Sequence, residues 1–582
     1  MSKFFVTNNK DWFVQIKHDV DTSPFKINGV YVSDCIYAIT TKKLQVDNIN
    51  FFHDGEDFII QTGTCVYKEM SGEDALKVAL QDFSGDVQVH RENYIGNYGC
   101  VIKKGNTIVA FNEATAFYDV FYYHKNQDWI IGTSIVDLGK VLAKRISVNK
   151  LNVLEELTRF AIFDNDTYFT EVKRLSGDQY LELSSTDLCV KPLNLGIIQD
   201  NPSDYDTRSK NIAREMKYIA GVMYKNFGQT SLGCTGGFDS RMTLAAYLAA
   251  DIKPKIAYGY GNSSLAQSKM GDVEVDKEYS RRYGLELDIA PWNETLPIDK
   301  KWDEYIDKYG KVIYDGNEDA FNFYTNIDEK FLSFGYTAEL FREDNWSKDI
   351  TDGKMTFEDY LWKNHSYCNR NIIEASPDLM ERWLRKWKKL NAEHGVEEKY
   401  FNKRDLFWLC LAYRHSADNH MINQINLFKY AHYLMSDIRI VRNGYVDFDK
   451  KYNGQFMIQM LNEVYPDILN VPFFTHCHKM QYNPQFMKVE ELRTNSVRSI
   501  ISNLIPKNIK KRINIMLGRH MASSEFSDSV FAILEKEGNE EKLRRLVGNS
   551  AFNSIERTGY NLTFVVRGII LCKTFDAIGV KY

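Results

Sequence analysis

A hydroxyl- and glycine-rich turn at 235–240 carries the clearest chemistry in this 582-residue chain. It reads Thr-Gly-Gly-Phe-Asp-Ser, follows a run at 229–234 that is expected to be a short buried strand, and precedes a helix-forming run at 242–250. The adjacent glycines, Gly236 and Gly237, let the backbone bend tightly and approach a ligand closely. The helix that follows points N–H groups and a partial positive charge at the turn. The pattern therefore predicts an anion cradle of the kind that holds phosphate.

Asp239 inside this turn adds a requirement, because a carboxylate in the cradle repels phosphate unless a cation lies between them. The sequence therefore predicts Mg²⁺ on Asp239. An ordinary tight turn before a helix would explain the glycines but not Asp239 beside Ser240. The common nucleotide P-loop pattern, G-x-x-x-x-G-K-[ST], is absent from the chain.

The turn resembles the Ser-Gly-Gly-x-Asp-Ser pyrophosphate loop of the N-type ATP pyrophosphatases, in the form carried by asparagine synthetase-like proteins. The resemblance implies that the turn binds the β,γ-phosphates of ATP, through Thr235, Gly236, Gly237, Asp239 and Ser240. It also implies that adenine lies against strand ends near Leu232 and Gly335.

Residues 272–284 resemble a second element of the same family. Asp272 is expected near the N-cap of a helix that ends at Gly284, and the run at 256–261 is expected to be the next parallel strand.

The run at 331–342 resembles the family's Gly-Glu-Gly-Ser-Asp-Glu loop, which closes over the nucleotide. With Gly335 at the first glycine, Glu339 falls on the magnesium-binding aspartate and Tyr336 on the catalytic glutamate. A tyrosine there is similar to β-lactam and carbapenam synthetases, in which a Tyr–Glu pair deprotonates an amine; Glu374 is a candidate partner. A register shifted by one aligns Glu339 with the glutamate after the aspartate. Tyr336 is therefore either a base or a packed aromatic.

The family's phosphate-binding lysine is missing from the helix expected at 455–466, where Gly454 or Gln455 stands in its place. Three lysines could reach back to the phosphates or be solvated surface charges: Lys450, Lys451 and Lys479. This departure leaves open a degenerate synthetase that binds nucleotide without catalysis.

The first 150 residues contain short strand-like runs, with a hairpin expected at 103–106. Their succession resembles the antiparallel α-β-β-α sandwich of the class II, or Ntn-type, glutaminases. That activity needs an N-terminal cysteine, whereas the chain opens Met1-Ser2 and its nearest cysteine is Cys35. The fold is therefore expected without glutamine hydrolysis, with Ser2 the alternative nucleophile.

These resemblances predict a mixed α/β and α+β chain with three parts. They are an Ntn-like glutaminase-type domain at 1–150, an adenine-nucleotide α-hydrolase-like (PP-loop) synthetase domain with a parallel sheet at 205–480, and a helical extension at 481–582. The mechanism implied is ATP-dependent amide formation through an acyl-adenylate, with release of AMP and pyrophosphate. The amine could be free ammonia, ammonia from a partner, or an amine of the substrate itself. The last would close a ring, as in lactam synthetases and lasso-peptide cyclases, whereas ammonia would give a primary amide of a small acid or a surface-polysaccharide uronate.

The composition, with 44% hydrophobic and 26% charged residues, is that of a globular enzyme, expected to be cytoplasmic. The net charge of −5 counts against nucleic-acid partners, including an adenylated tRNA. Neither the nine scattered cysteines nor His476-Cys477-His478 suggests a metal site. No signal peptide is expected. Three charged residues interrupt the apolar run at 561–580, so this run is expected to be a buried helix and not a membrane span. A homodimer is left open.

The basic amphipathic stretch at 498–519 departs from the rest of the chain. It would suit contact with an anionic membrane surface or an acidic partner, or else form a helical hairpin packed on the synthetase domain.

Overall fold

The computed structural model describes most of the chain. The described residues are 2–159, 161–261, 264–292, 323–337, 340–342, 355–362, 369–393, 407–408, 411, 419–446, 454–475, 478–485, 487–491, 524–536, 538–556 and 560–582.

Twelve strands of the described N-terminal part form two antiparallel sheets. In chain order these are β1 Phe4–Thr7, β2 Ile27–Val32, β3 Tyr37–Thr41, β4 Phe51–Asp54, β5 Asp57–Tyr67, β6 Tyr94–Lys104, β7 Thr107–Asn112, β8 Phe121–Lys125, β9 Asp128–Gly132, β10 Val172–Arg174, β11 Gln179–Leu183 and β12 Leu188–Pro192. One sheet has the order β10-β8-β9-β1-β3-β2 and the other β12-β11-β7-β6-β5-β4. The predicted strands and the hairpin between β6 and β7 are present, and both sheets continue beyond residue 150.

Five helices of this part are α1 Lys10–Asp21, α2 Gly72–Asp82, α3 Val87–Arg91, α4 Ile135–Leu142 and α5 Lys150–Arg159. Because successive strand residues face opposite sides, Phe4 packs between the sheets while Phe5 packs with the helices α1 and α4. In the other sheet Ile60 faces inward and Ile59 packs with α2. The result is the α-β-β-α layering that the sequence predicts.

The central part is a five-stranded sheet in which every pair of neighbours is parallel. Its strands are β13 Thr230–Gly233, β14 Lys255–Gly261, β15 Leu287–Trp292, β16 Phe331–Phe334 and β17 Tyr430–Tyr433, in the order β15-β14-β13-β16-β17. The chain winds outward from β13 through β14 to β15, and then crosses to the other side for β16 and β17. The molecule is therefore a mixed α/β structure with a parallel sheet.

The next described helices in the chain pack in two places: those between residues 357 and 393 share a core with α5, and the others lie around the parallel sheet. They are α6 Tyr205–Phe227, α7 Asp239–Ala249, α8 Ser264–Tyr283, α9 Phe357–Tyr360, α10 Arg370–Glu374, α11 Pro377–Glu393, α12 Asn419–Ile425, α13 Ile438–Val441 and α14 Gln455–Val464, with 3₁₀ turns at Leu434–Ser436 and Pro466–Asn470. Asp204 caps α6 by accepting from the Thr207 N–H, and Gly284 ends α8 with a φ of +63°, as its sequence position predicts.

The remaining described elements follow the parallel sheet in sequence. They are β18 Phe473–Thr475, β19 His478–Asn483 and β20 Lys488–Glu491, which form a small antiparallel sheet, and α15 Ser524–Leu534, α16 Asn539–Val547, α17 Asn549–Asn553 and α18 Tyr560–Ile578. The last helix, α18, packs on α4 and α5, with Ile578 against Gly139. None of the described helices is long and apolar enough to span a bilayer. The stretch 498–519 lies outside the described residues.

Polar side chains join the two-sheet part to the free edge of β17. The Thr64 hydroxyl accepts from the Ala431 N–H at 2.8 Å, and the Asn97 side-chain oxygen accepts from the Tyr433 N–H at 2.8 Å. The buried Lys43 ammonium donates to the carbonyls of Asn426 at 2.9 Å and Lys429 at 3.0 Å, and burial lowers its pKa well below the usual value. The strand edge, which would otherwise be open to pairing, is thus covered.

Candidate functional site

The predicted phosphate turn lies where the order of the parallel strands reverses. β13 and β16 are parallel neighbours, and their last residues, Gly233 and Phe334, are register partners. The turn follows β13 and leads into α7, while the loop that begins at Gly335 follows β16 at the same edge. In open parallel sheets, ligands bind in the crevice at this reversal, outside the carboxyl ends of the strands.

Two hydroxyls hold the shape of the turn. The Ser240 Oγ accepts from the Thr235 N–H at 2.8 Å and lies 3.0 Å from the Thr235 Oγ1. The Ser240 hydroxyl also lies 3.1 Å from the Thr235 carbonyl oxygen, to which it donates. These contacts fix the backbone before any ligand arrives, so a direct contact of either hydroxyl with phosphate stays a prediction.

The glycines show which sides of the turn are closed. A methyl group on Gly335 would overlap the backbone of Asp239 and Ser240, and one on Gly236 would press on Phe474, whose N–H donates to the Gly236 carbonyl at 3.0 Å. At Gly237 the nearest atom to an added methyl would be the Thr235 Oγ1, 3.7 Å away. The described residues therefore leave the Gly237 side of the turn open.

Asp239 is paired with an arginine from the second loop. The Arg342 Nε lies 3.1 Å from the Asp239 Oδ1 and its Nη2 lies 3.4 Å from the Oδ2. The other predicted magnesium ligand, Glu339, lies outside the described residues, and the described part of the chain holds no metal-binding cluster. Magnesium on Asp239 and Glu339 therefore stays a prediction.

The prediction that Asp272 caps a helix is wrong. The helix α8 begins at Ser264, so Asp272 lies inside it and is 5% exposed. Its Oδ1 accepts from the Gly236 N–H at 2.8 Å, and its Oδ2 accepts from the Tyr258 hydroxyl at 3.2 Å. Asp272 therefore positions the turn, and it occupies one N–H that phosphate would otherwise use.

Two buried ionisable groups under the turn were not found from the sequence. Arg241 is fully buried, and its guanidinium donates to backbone carbonyls of Gly236, Ile468, Val471 and Pro472. Asp276 is also fully buried, and burial, with the nearby Asp272 charge, raises the pKa of its carboxyl well above the usual value. Nothing in the local sequence marked either residue, because their surroundings come from distant segments.

Tyr336 is half-buried and packs on Tyr433, with 4.8 Å between ring centroids. This contact favours the packed-aromatic interpretation, and its role as a base stays a prediction. Its suggested partner Glu374 forms an exposed ion pair with Arg370 at 2.8 Å, in a helix whose Ile372 and Ile373 belong to the core around α18.

The other predicted contacts are placed as follows. The Leu232 side chain is fully buried in the core with α6 and α7. This leaves the main chain of Leu232 to contact adenine, and that contact stays a prediction. Lys479 forms an exposed ion pair with Glu274 at 2.8 Å. Lys450 and Lys451 lie outside the described residues.

The close approach of the two loops at Gly335 gives a direct test. We expect Gly335→Ala to destabilise the protein by about 1–3 kcal/mol, because the methyl must push the start of α7 away from β16. The matched control is Gly221→Ala in the middle of α6, where an added methyl meets nothing within 4 Å. The control should be neutral or stabilising. Chemical denaturation checks both; equal stability of the two variants would contradict the packing.

Comparisons with known proteins add little to this geometry. No protein-family model and no curated protein matches the chain. Among solved structures it is similar to glutamine PRPP amidotransferase from B. subtilis in complex with ADP and GMP. The sequence identity is 6% and the TM-score is 0.23. The match covers 50% of this chain and 65% of the amidotransferase chain, which is just under two thirds of the amidotransferase. A structure of the allosteric regulatory enzyme of purine biosynthesis matches at 6% identity and TM-score 0.25, over 51% of this chain and 81% of that one. Likenesses this weak carry no argument about function.

Proposed function

We propose that this protein is an ATP-dependent ligase that forms an amide through an acyl-adenylate and releases AMP and pyrophosphate. One observation carries the proposal: the Thr-Gly-Gly-Phe-Asp-Ser turn and the loop after β16 meet at the reversal of a parallel sheet, against the N-terminus of α7. The likeness of both segments to asparagine synthetase-like loops supports ATP as the ligand.

The residues of the site suit the pyrophosphate end of ATP. The first turn of α7 presents N–H groups that have no partner within the helix, together with the positive end of its dipole. The open side at Gly237 allows the phosphates to approach that backbone. Magnesium would arrive with the nucleotide as part of the substrate, since Mg²⁺ is commonly held largely by phosphate oxygens.

In the proposed reaction, an oxygen of the substrate carboxylate attacks the α-phosphorus and the bond to the pyrophosphate oxygen breaks. The N–H groups of α7 would then stabilise the charge that develops on pyrophosphate. An amine attacks the acyl carbon, loses a proton, and AMP leaves.

Glutamine is not the proposed nitrogen donor. Ser2, the alternative nucleophile, is fully buried. The amine is therefore free ammonia, ammonia from a partner, or an amine of a small acid, uronate or peptide substrate.

A charge placed at the open side of the turn tests the site. We expect Gly237→Asp to weaken binding of inorganic pyrophosphate and of Mg·ATP at least about tenfold relative to Gly237→Asn, because the two side chains have the same size and differ in charge. Isothermal titration gives both affinities. Equal affinities of the two variants, or a parent protein that binds neither ligand, would overturn the proposed site.

The chemistry has its own assay. Carboxylate-dependent exchange of labelled pyrophosphate into ATP should appear with one member of a panel of amino acids, uronic acids and peptides. Formation of ADP and phosphate instead would contradict an acyl-adenylate. Tight nucleotide binding without exchange would favour the alternative, a nucleotide-binding protein that has lost catalysis.

A further inference from the structure

We infer that Arg342 is the cation that contacts the terminal phosphates of ATP, in place of the lysine that the chain lacks at 454–455. The inference rests on the proposed function and adds a phosphate-binding residue to the same site. It begins from the ion pair that joins the two loops.

The geometry of this pair is that of a fork. Two guanidinium nitrogens of Arg342 face the two carboxylate oxygens of Asp239, at 3.1 and 3.4 Å. The side chains are 25% and 19% exposed, so part of the pair is in contact with solvent. A guanidinium has five N–H donors in one plane, which allows it to bind a carboxylate along one edge and a phosphate along another.

The backbone at Arg342 is well anchored. The two preceding residues, Leu340 and Phe341, are 3% and 0% exposed and belong to the core beneath α7. The pairing with Asp239, in the first turn of α7, then directs the guanidinium toward the end of the helix that would receive phosphate. Asp239 therefore acts as a positioning residue for Arg342.

Charge gives the second argument. Without a cation, the Asp239 carboxylate would oppose the binding of pyrophosphate, an anion with several negative charges. Arg342 neutralises this carboxylate and can add an attraction of its own.

Two other described cations near the turn are committed elsewhere: Arg241 is fully buried among backbone carbonyls, and Lys479 pairs with Glu274 at the surface.

Four variants separate a direct contact from simple neutralisation: Arg342→Ala, Arg342→Lys, Asp239→Asn and the double variant Arg342→Ala/Asp239→Asn. Affinities for inorganic pyrophosphate and for AMP are measured by isothermal titration. We expect Arg342→Ala to bind pyrophosphate about ten- to a hundredfold more weakly than the parent, with AMP binding unchanged and partial recovery in Arg342→Lys. The control is Arg282→Ala, which removes a similar fork to Asp467 at the surface, at 2.8 and 2.6 Å.

The double variant decides the role. If Arg342 contacts phosphate, the double variant should bind pyrophosphate at least about tenfold more weakly than Asp239→Asn alone. If Arg342 only shields Asp239, the double variant and Asp239→Asn should bind pyrophosphate with equal affinity, and the inference fails. An Arg342→Ala variant that binds pyrophosphate as the parent does would also overturn it, with the proposed function intact. A parent that binds no pyrophosphate would instead remove the proposed function on which the inference rests.

Discussion

Replacing Arg241 with leucine is expected to lower the free energy of unfolding by about 3–5 kcal/mol, the usual cost of removing one partner from a buried charged network. The Arg241 Nη1 donates to the Ile468 carbonyl at 2.9 Å and to the Val471 carbonyl at 2.8 Å, and its Nη2 to the Pro472 carbonyl at 2.7 Å. Leucine would remove the guanidinium donor from all three of these carbonyls. The guanidinium also lies over the Phe473 ring, 3.5 Å from its centroid.

Arg241 also connects the phosphate turn to the segment before β18, so the same variant should lose pyrophosphate binding. Arg282→Leu is the matched control, because its bonds go to a surface carboxylate, and it should change stability by less than about 1 kcal/mol. Urea denaturation followed by tryptophan fluorescence compares the two variants. A loss in Arg241→Leu no larger than in the control would contradict the role given to Arg241.

Glu156 is expected to make the attachment of α18 weaker as pH rises. Burial raises the pKa of the Glu156 carboxyl from 4.5 to about 7, although the charges of Arg567 and Arg174 oppose the shift. The other ionisable neighbours are Glu155, which raises the pKa further, and His420, which lowers it. A raised pKa means that the folded state holds a proton that the unfolded state has lost. This contribution is complete below pH 4.5 and disappears as pH rises through about 7, a loss of about 3 kcal/mol.

Glu156→Gln should remove this dependence, because glutamine does not titrate and has the same size. Hydrogen exchange of the α18 amides, measured for both proteins between pH 5 and 8, gives the free energy of opening of that helix. The difference between the two proteins is the quantity of interest. Taking this difference cancels the contributions of His90 and His432 to the pH dependence, which are the same in both proteins. Burial lowers the pKa of both histidines to about 4, so their contribution has the opposite sign to that of Glu156. A difference independent of pH would show that Glu156 is ionised throughout.

The predictable part of the site is the part that is local in sequence. The turn at 235–240, the strand before it and the helix after it are encoded within about 25 residues, by glycines, a short strand-like run and helix formers. The N-terminus of α8 was misplaced because Asp272 was taken as its cap, although Asn262, Ser263 and Ser264 offer N-cap residues further upstream. A helix begun there extends through Asp272 instead of starting at it.

The unpredicted part depends on contacts between distant segments. Arg342 and Asp239 are 103 positions apart, and Arg241 bonds to the carbonyls of Ile468 and Val471, which lie 227 and 230 positions away. No spacing rule links such residues. One signal was available for Arg342: a cation follows the second loop in a chain that lacks the expected lysine.

The packing of α18 on α4 and α5 has a consequence for how the chain is made. About 400 residues separate Arg159 from Tyr560, so a ribosome working at 5–20 residues per second needs about 20–80 s to supply the helix that covers these two. During that interval, Leu138, Leu142 and Leu157 lack the apolar side chains of α18 that belong to the same core. The newborn N-terminal part therefore carries an uncovered apolar face until α18 has been synthesised.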